Sequence, residues 1–134
     1  MVRADRAGEL RREVAALDRQ PFLLVLGNDF EHKNRDFAVK VFSEMCARGY
    51  SGLLVLAGFH LDLGSSFAHE LTGAQEYASR IVRIGPVSNG EKTTLLEWAQ
   101  AVLYPTSSEG FGLVPFEAAA LGTPTAFVSF GSLR

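Results

Sequence analysis

Two glutamates, Glu109 and Glu117, sit eight positions apart in the stretch Ser108-Glu109-Gly110-Phe111-Gly112-Leu113-Val114-Pro115-Phe116-Glu117-Ala118. A glycine-aromatic-glycine turn follows the first of them. The turn carries little side chain to block a ligand, so backbone N–H groups can face an anion there. The residues that follow predict a helix starting near Leu113, whose positive end would point at the same place. Glu109 at the lip and Glu117 about one turn inside the helix would accept hydrogen bonds from hydroxyls on either side of a bound phosphate. An anion in the middle with hydroxyls on both flanks describes a nucleotide sugar.

Such a site needs elements that bring distant loops to one rim. Residues 4–18 read as a helix with Leu10, Val14 and Leu17 on one face, ended by Gln20-Pro21. Short apolar runs at 22–26, 53–57, 81–84, 101–104 and 125–128 read as buried parallel strands, several stopped by glycine. Between them, 34–48, 67–78, 91–99 and 114–121 read as helices, the second weaker and preceded by a loop at 59–66. In 34–48 the apolar stripe is Phe37, Val41 and Met45 with Ala38 and Phe42, and Gly49 is the stop.

The alternation predicts an α/β fold: a Rossmann-like, doubly wound parallel sheet of about five strands with helices on both faces. Ligands of such sheets bind outside the carboxyl ends of the strands. Those ends are the loops 27–34, 58–66, 85–90, 105–113 and 129–131, so Lys33 and Glu109 reach the same rim although far apart in sequence. Lys33, in Gly27-Asn28-Asp29-Phe30-Glu31-His32-Lys33-Asn34, could neutralise charge building on a diphosphate leaving group, or be a solvated loop lysine.

The stretch around Glu109 resembles the Glu-x7-Glu motif of retaining GT-B glycosyltransferases, especially family 4 (glycosyltransferase group 1). The resemblance runs over residues 21–131, through the order G-x5-K-N, A-G, G-x-V and P-T-S-S-E-G-F-G, each after a strand. It implies the C-terminal, nucleotide-sugar-binding half of a GT-B fold. It further implies that Glu109 contacts the donor sugar's hydroxyls and stabilises positive charge at the anomeric carbon, rather than serving as a general base. Glu117 would accept from the ribose hydroxyls; a first-turn carboxylate favoured by the helix dipole is a reading that can hold alongside. Gly110, Phe111, Gly112 and Leu113 would offer backbone N–H groups to phosphate and sugar. The glycines could instead serve only the turn, and Phe111 could be core packing. Val87, after Pro86, would lie near the base, read largely through main-chain atoms; a plain turn fits that triplet equally.

In the family the loop holding the lysine reads G-R-L-x3-K-G, and both basic residues touch the diphosphate. Lys33 matches; Asn28 stands at the arginine position and reads equally as a polar turn residue. His32 and Arg35 are candidates to stand in, each also explicable as structural or solvent-facing. No cofactor is implied, the donor being a UDP-, GDP- or ADP-sugar. No metal is implied either, because lysine and helix dipole meet the diphosphate.

Composition narrows the alternatives. With 134 residues the chain reads as one domain, and its net charge of −2 offers no electrostatic case for nucleic acid. Cys46 is the single cysteine, so no internal disulfide can form, and it falls on the apolar side of its helix. No apolar run reaches the length of a membrane span and the N-terminus is charged, which together predict a cytoplasmic protein, with peripheral membrane contact open to a larger enzyme. His60 and His69 make no ligand set with Cys46. No Asp-x-Asp pair, dinucleotide fingerprint after the first strand, Walker loop or nucleophile elbow is present.

The expected organisation is an N-terminal helix over 1–20 and a nucleotide-sugar-binding domain over 21–134, short at its C-terminus and without an acceptor-binding domain. Gly131 and Ser132 match the start of the family's next glycine turn. On this reading the isolated chain is inactive until that domain is supplied in cis or trans, and its uncovered apolar surface favours self-association. Two other readings remain: a non-catalytic nucleotide-sugar-binding or interaction module, and a sugar-nucleotide epimerase of the same fold.

Overall fold

The structure is a computed structural model that describes residues 11–27, 35–58, 75–104 and 113–127. Along these the elements are α1 (Arg12–Ala15), β1 (Phe22–Leu26), α2 (Arg35–Ala47), β2 (Leu53–Ala57), a 3-10 turn (Gln75–Arg80), β3 (Ile81–Ile84), α3 (Asn89–Trp98), β4 (Ala101–Tyr104), α4 (Leu113–Ala120) and β5 (Thr125–Phe127). The five strands form one parallel sheet in the order β3-β2-β1-β4-β5. Residue Leu24 is level with Val55 on one side and Val102 on the other, which aligns the strands' carboxyl ends along one edge.

Strand period divides the core in two. Phe22 and Leu24 of β1 and Val55 and Ala57 of β2 face one side, against Val14 and Leu17, Leu95, Leu96 and Trp98 of α3, and Ala118 of α4. Leu23, Val25, Leu54, Leu56 and Leu103 face the other, against Ala38, Val39, Phe42 and Cys46 of α2. Both sheet faces are thus covered, which is why the strands are runs of Leu and Val rather than an apolar-polar alternation. The doubly wound parallel fold expected from the sequence is the fold observed.

Helix ends are set by local chemistry. After α2, Gly49 takes φ +109°, with Tyr50 N–H donating to Met45 O at 2.9 Å and Gly49 N–H to Cys46 O at 3.0 Å. Gly122 repeats this after α4 at φ +78°, with Thr123 N–H donating to Ala118 O at 2.9 Å and Gly122 N–H to Ala119 O at 3.0 Å. Each is a Schellman stop, which a left-handed glycine permits at no Cβ penalty.

Four details depart from the expectations. The helical hydrogen bonding of the N-terminal segment gives way to turns after Ala15, short of residue 18, and Arg19 adopts φ +67° before Gln20-Pro21. The buried face of α2 is Ala38, Val39, Phe42 and Cys46, while Phe37 is exposed and Val41 and Met45 are half-buried. Phe42 anchors that rotation: Tyr50 meets its ring edge-on at 6.1 Å between centroids, and the Arg80 guanidinium lies 5.6 Å above it. Residues 75–80 form a 3-10 turn where the end of an α-helix was expected; the rest of 67–78 lies outside the described residues. Helix α3 begins two residues before the expected 91, for a reason that bears on the site.

Candidate functional site

Helices α3 and α4 lie on the same face of the sheet, and each begins at its carboxyl edge, α3 after β3 and α4 after β4. Ser88 is the N-cap of α3. Its Oγ accepts from Glu91 N–H at 3.1 Å, while Glu91 Oε1 accepts from Ser88 N–H at 3.0 Å. This reciprocal pair is a capping box, and it draws the helix start back to Asn89. The other carboxylate oxygen, Oε2, accepts from Arg11 Nε at 2.9 Å. Burial opposes ionisation of Glu91, but the hydrogen bonds from Ser88 N–H and from Arg11 outweigh it and hold the carboxyl below its ordinary range.

That anchored first turn presents Lys92. Its backbone N–H donates to Ser88 O at 2.8 Å, and its Nζ lies 2.8 Å from Oε2 of Glu117 on α4. Glu117 is the fifth residue of α4 and stands outside its first turn, so the first-turn dipole reading is replaced by an ion pair with the neighbouring helix. Both side chains keep access to water, 32% for Lys92 and 41% for Glu117. A carboxylate offers about four lone-pair sites. With Lys92 on one oxygen, Glu117 retains acceptor capacity for two vicinal hydroxyls.

Val87, immediately before the cap, is half-buried and packs against the core cluster on the sheet face that α3 and α4 cover. The structure therefore links two of the expected residues: Val87 leads into the Ser88 cap of α3, and Lys92 of α3 pairs with Glu117 of α4. Arg35, first residue of α2, is buried, and its Nη1 donates to Gly27 O at 3.3 Å, at the carboxyl end of β1. The solvent-facing alternative for Arg35 is thereby set aside: it ties the start of α2 to the end of β1. Leu113 opens α4. Glu109, Lys33, Asn28, Gly110, Phe111, Gly112 and His32 lie outside the described residues.

Two residues of this arrangement escaped the sequence reading. Ser88 had a signal, the Ser-x-x-Glu spacing of Ser88 and Glu91 before an apolar run. Lys92 had none, because its partner lies on another helix. Among the described residues no group of three or more His, Cys, Asp or Glu could hold a metal ion, and no helix is long and apolar enough to cross a membrane.

Comparison with known proteins follows the same outline. The family model "Glycosyl transferases group 1" matches residues 7–134. An uncharacterized glycosyltransferase of Methanocaldococcus jannaschii is 27% identical over 123 residues, covering 92% of this chain and 31% of that protein. A D-inositol 3-phosphate glycosyltransferase of Mycobacterium avium is 41% identical over 56 residues, 42% of this chain and 13% of its own length. Among solved structures, AviGT4, a glycosyltransferase involved in avilamycin A biosynthesis, superposes with a TM-score of 0.64 at 27% identity, covering 95% of this chain and 38% of that one. Sucrose-phosphate synthase from Thermosynechococcus elongatus gives 0.69 at 25% identity, covering 91% and 32%. The chain thus spans about a third or less of the curated relatives it matches.

Proposed function

The chain belongs to the glycosyl transferases group 1 family, and from that premise we propose that it is the donor-binding half of a retaining glycosyltransferase. It would hold a nucleoside diphosphate sugar, a UDP-, GDP- or ADP-sugar, for transfer of a hexosyl group to an acceptor bound by a second domain. The observation that carries this reading is the match of the family model to residues 7–134, the rim of the sheet included.

In this proposal the nucleoside lies over the starts of α3 and α4. The base rests by Val87, and Glu117 accepts from the ribose hydroxyls. The diphosphate meets Lys33 and the backbone N–H groups of Gly110, Phe111, Gly112 and Leu113, with Asn28 at the position the family gives to arginine. Glu109 holds the sugar hydroxyls and stabilises positive charge at the anomeric carbon as the leaving diphosphate departs toward Lys33. Turnover needs the acceptor domain, supplied in cis or trans, and the assembled enzyme works in the cytoplasm.

Calorimetric titration of the purified chain with UDP, GDP and ADP, free and glucose-linked, tests the reading. One base should bind. Glu117→Ala and Lys33→Ala should each weaken it by about tenfold or more, the usual loss for a hydrogen bond to a charged group. A folded chain that binds none of the six ligands overturns the proposal.

A further inference from the structure

We propose that Lys92 is a positioning residue of the nucleoside subsite, holding the Glu117 carboxylate in the orientation that accepts the ribose hydroxyls. The inference rests on the donor-binding reading above and adds to it a residue that reading does not use.

Three observations carry it. The first is the contact itself, Lys92 Nζ to Glu117 Oε2 at 2.8 Å, made between two helices rather than along one. The second is that Lys92 stands on a fixed platform. The turn before it is closed by the Ser88–Glu91 capping box, and Glu91 is in turn held by Arg11. The third is that the platform begins at Val87, which packs into the core. A glutamate on a helix surface has several open rotamers, and a ligand that must select one meets an entropic cost. An ammonium anchored from the next helix removes part of that cost before the ligand arrives. Because it engages one carboxylate oxygen, the other remains for the hydroxyls. The chain Val87–Ser88–Lys92–Glu117 thereby fixes the distance between base contact and ribose contact.

The test compares ribose with a sugar that has no hydroxyls for Glu117. The full chain is titrated with UDP, GDP and ADP and with their 2′,3′-dideoxy counterparts. The variants are Lys92→Met, Lys92→Gln, Lys92→Arg and Glu117→Ala. Lys92 is half-exposed and all three of its replacements are good helix formers, so the variants fold, which circular dichroism and thermal melting verify. The expected result is that Lys92→Met and Lys92→Gln weaken ribonucleotide binding by about two- to fivefold, the range of a partly exposed ion pair. They leave dideoxynucleotide binding unchanged, so the preference for ribose falls toward that of Glu117→Ala. Lys92→Arg restores it. Equal loss for both sugars, or no loss for either, overturns the role of Lys92 while leaving the donor site in place. No nucleotide binding by the parent chain overturns both.

Discussion

Arg11 Nε donates to Glu91 Oε2 at 2.9 Å across 80 residues of sequence, fastening the start of the chain to the N-terminal turn of α3. The same carboxylate completes the capping box with Ser88, so one side chain serves both the helix cap and the closure of α1 onto the sheet. Glu91 is held below its ordinary pKa, so the folded state favours the ionised form more than the unfolded chain does. The stabilisation is therefore fully present above the unfolded value near 4.5 and is lost as pH falls through the lower folded value. Glu91→Gln should cost about 1 kcal/mol at pH 7, because the amide can still cap but cannot pair with Arg11. Urea titrations of both proteins between pH 7 and 3 should show the gap closing below pH 4.5. A gap that persists in acid would assign the loss to packing instead.

Gly52 and Gly90 should respond oppositely to alanine. A Cβ at Gly52 would stand 2.7 Å from Pro21 O and overlap the Tyr50 ring hydroxyl, which itself donates to Gln100 Oε1 at 2.6 Å. Gly52→Ala must displace backbone or break that bond, and should lower stability by about 1–3 kcal/mol. At Gly90, in the first turn of α3, the nearest atom is Ser88 Oγ at 3.9 Å. Gly90→Ala should raise stability by a few tenths of a kcal/mol to about 1, as helix propensity dictates. Thermal unfolding of the two variants measures both signs, and a neutral Gly52→Ala would show that the β1–β2 entry relaxes freely.

Much of this fold is legible in the sequence because its strands are buried on both faces. Phe22–Leu26 and Leu53–Ala57 have no polar side to blur the signal, and glycines at 27 and 58 mark their ends. The face of α2 was harder. Phe37, Val41 and Met45 make as apolar a stripe as Ala38, Phe42 and Cys46, and tertiary contacts of Phe42 with Tyr50 and Arg80 decide between them. Of the candidate site, the chemistry is in the residue types, whereas the Lys92–Glu117 pair is a product of helix adjacency. Local pattern encodes a cap such as Ser88–Glu91 but not that Glu117 meets Lys92 from 25 residues away.

Cys46 should be inert while the chain is folded. It is buried in α2 against the sheet, and burial pushes its thiol pKa up, with the Arg80 charge pulling only partly the other way. Reaction with a thiol-specific disulfide reagent at pH 7.5 should be at least about tenfold slower than in denaturant, since the thiolate is the reactive species. Cys46→Ala should cost less than Cys46→Ser, whose hydroxyl would need a partner in an apolar site, by about 1 kcal/mol or more. Rapid labelling of the native chain would place the thiol at the surface.

Nucleotide binding should tolerate a chelator and suffer from salt. In the proposed site the diphosphate charge is met by Lys33, by backbone N–H groups and by the positive end of α4, none of which a chelator removes. Excess EDTA should therefore leave the affinity for the preferred nucleoside diphosphate within about twofold. Raising the ionic strength shortens the Debye length from about 10 Å at 0.1 M to about 3 Å at 1 M, which should weaken binding several-fold by screening the attraction of Lys33 for the diphosphate. Lys33→Ala should flatten that salt dependence while retaining the preference for ribose, because Lys33 meets phosphate and Glu117 meets the sugar. Loss of binding in EDTA, restored by Mg2+ or Mn2+, would instead assign the diphosphate to a bound cation.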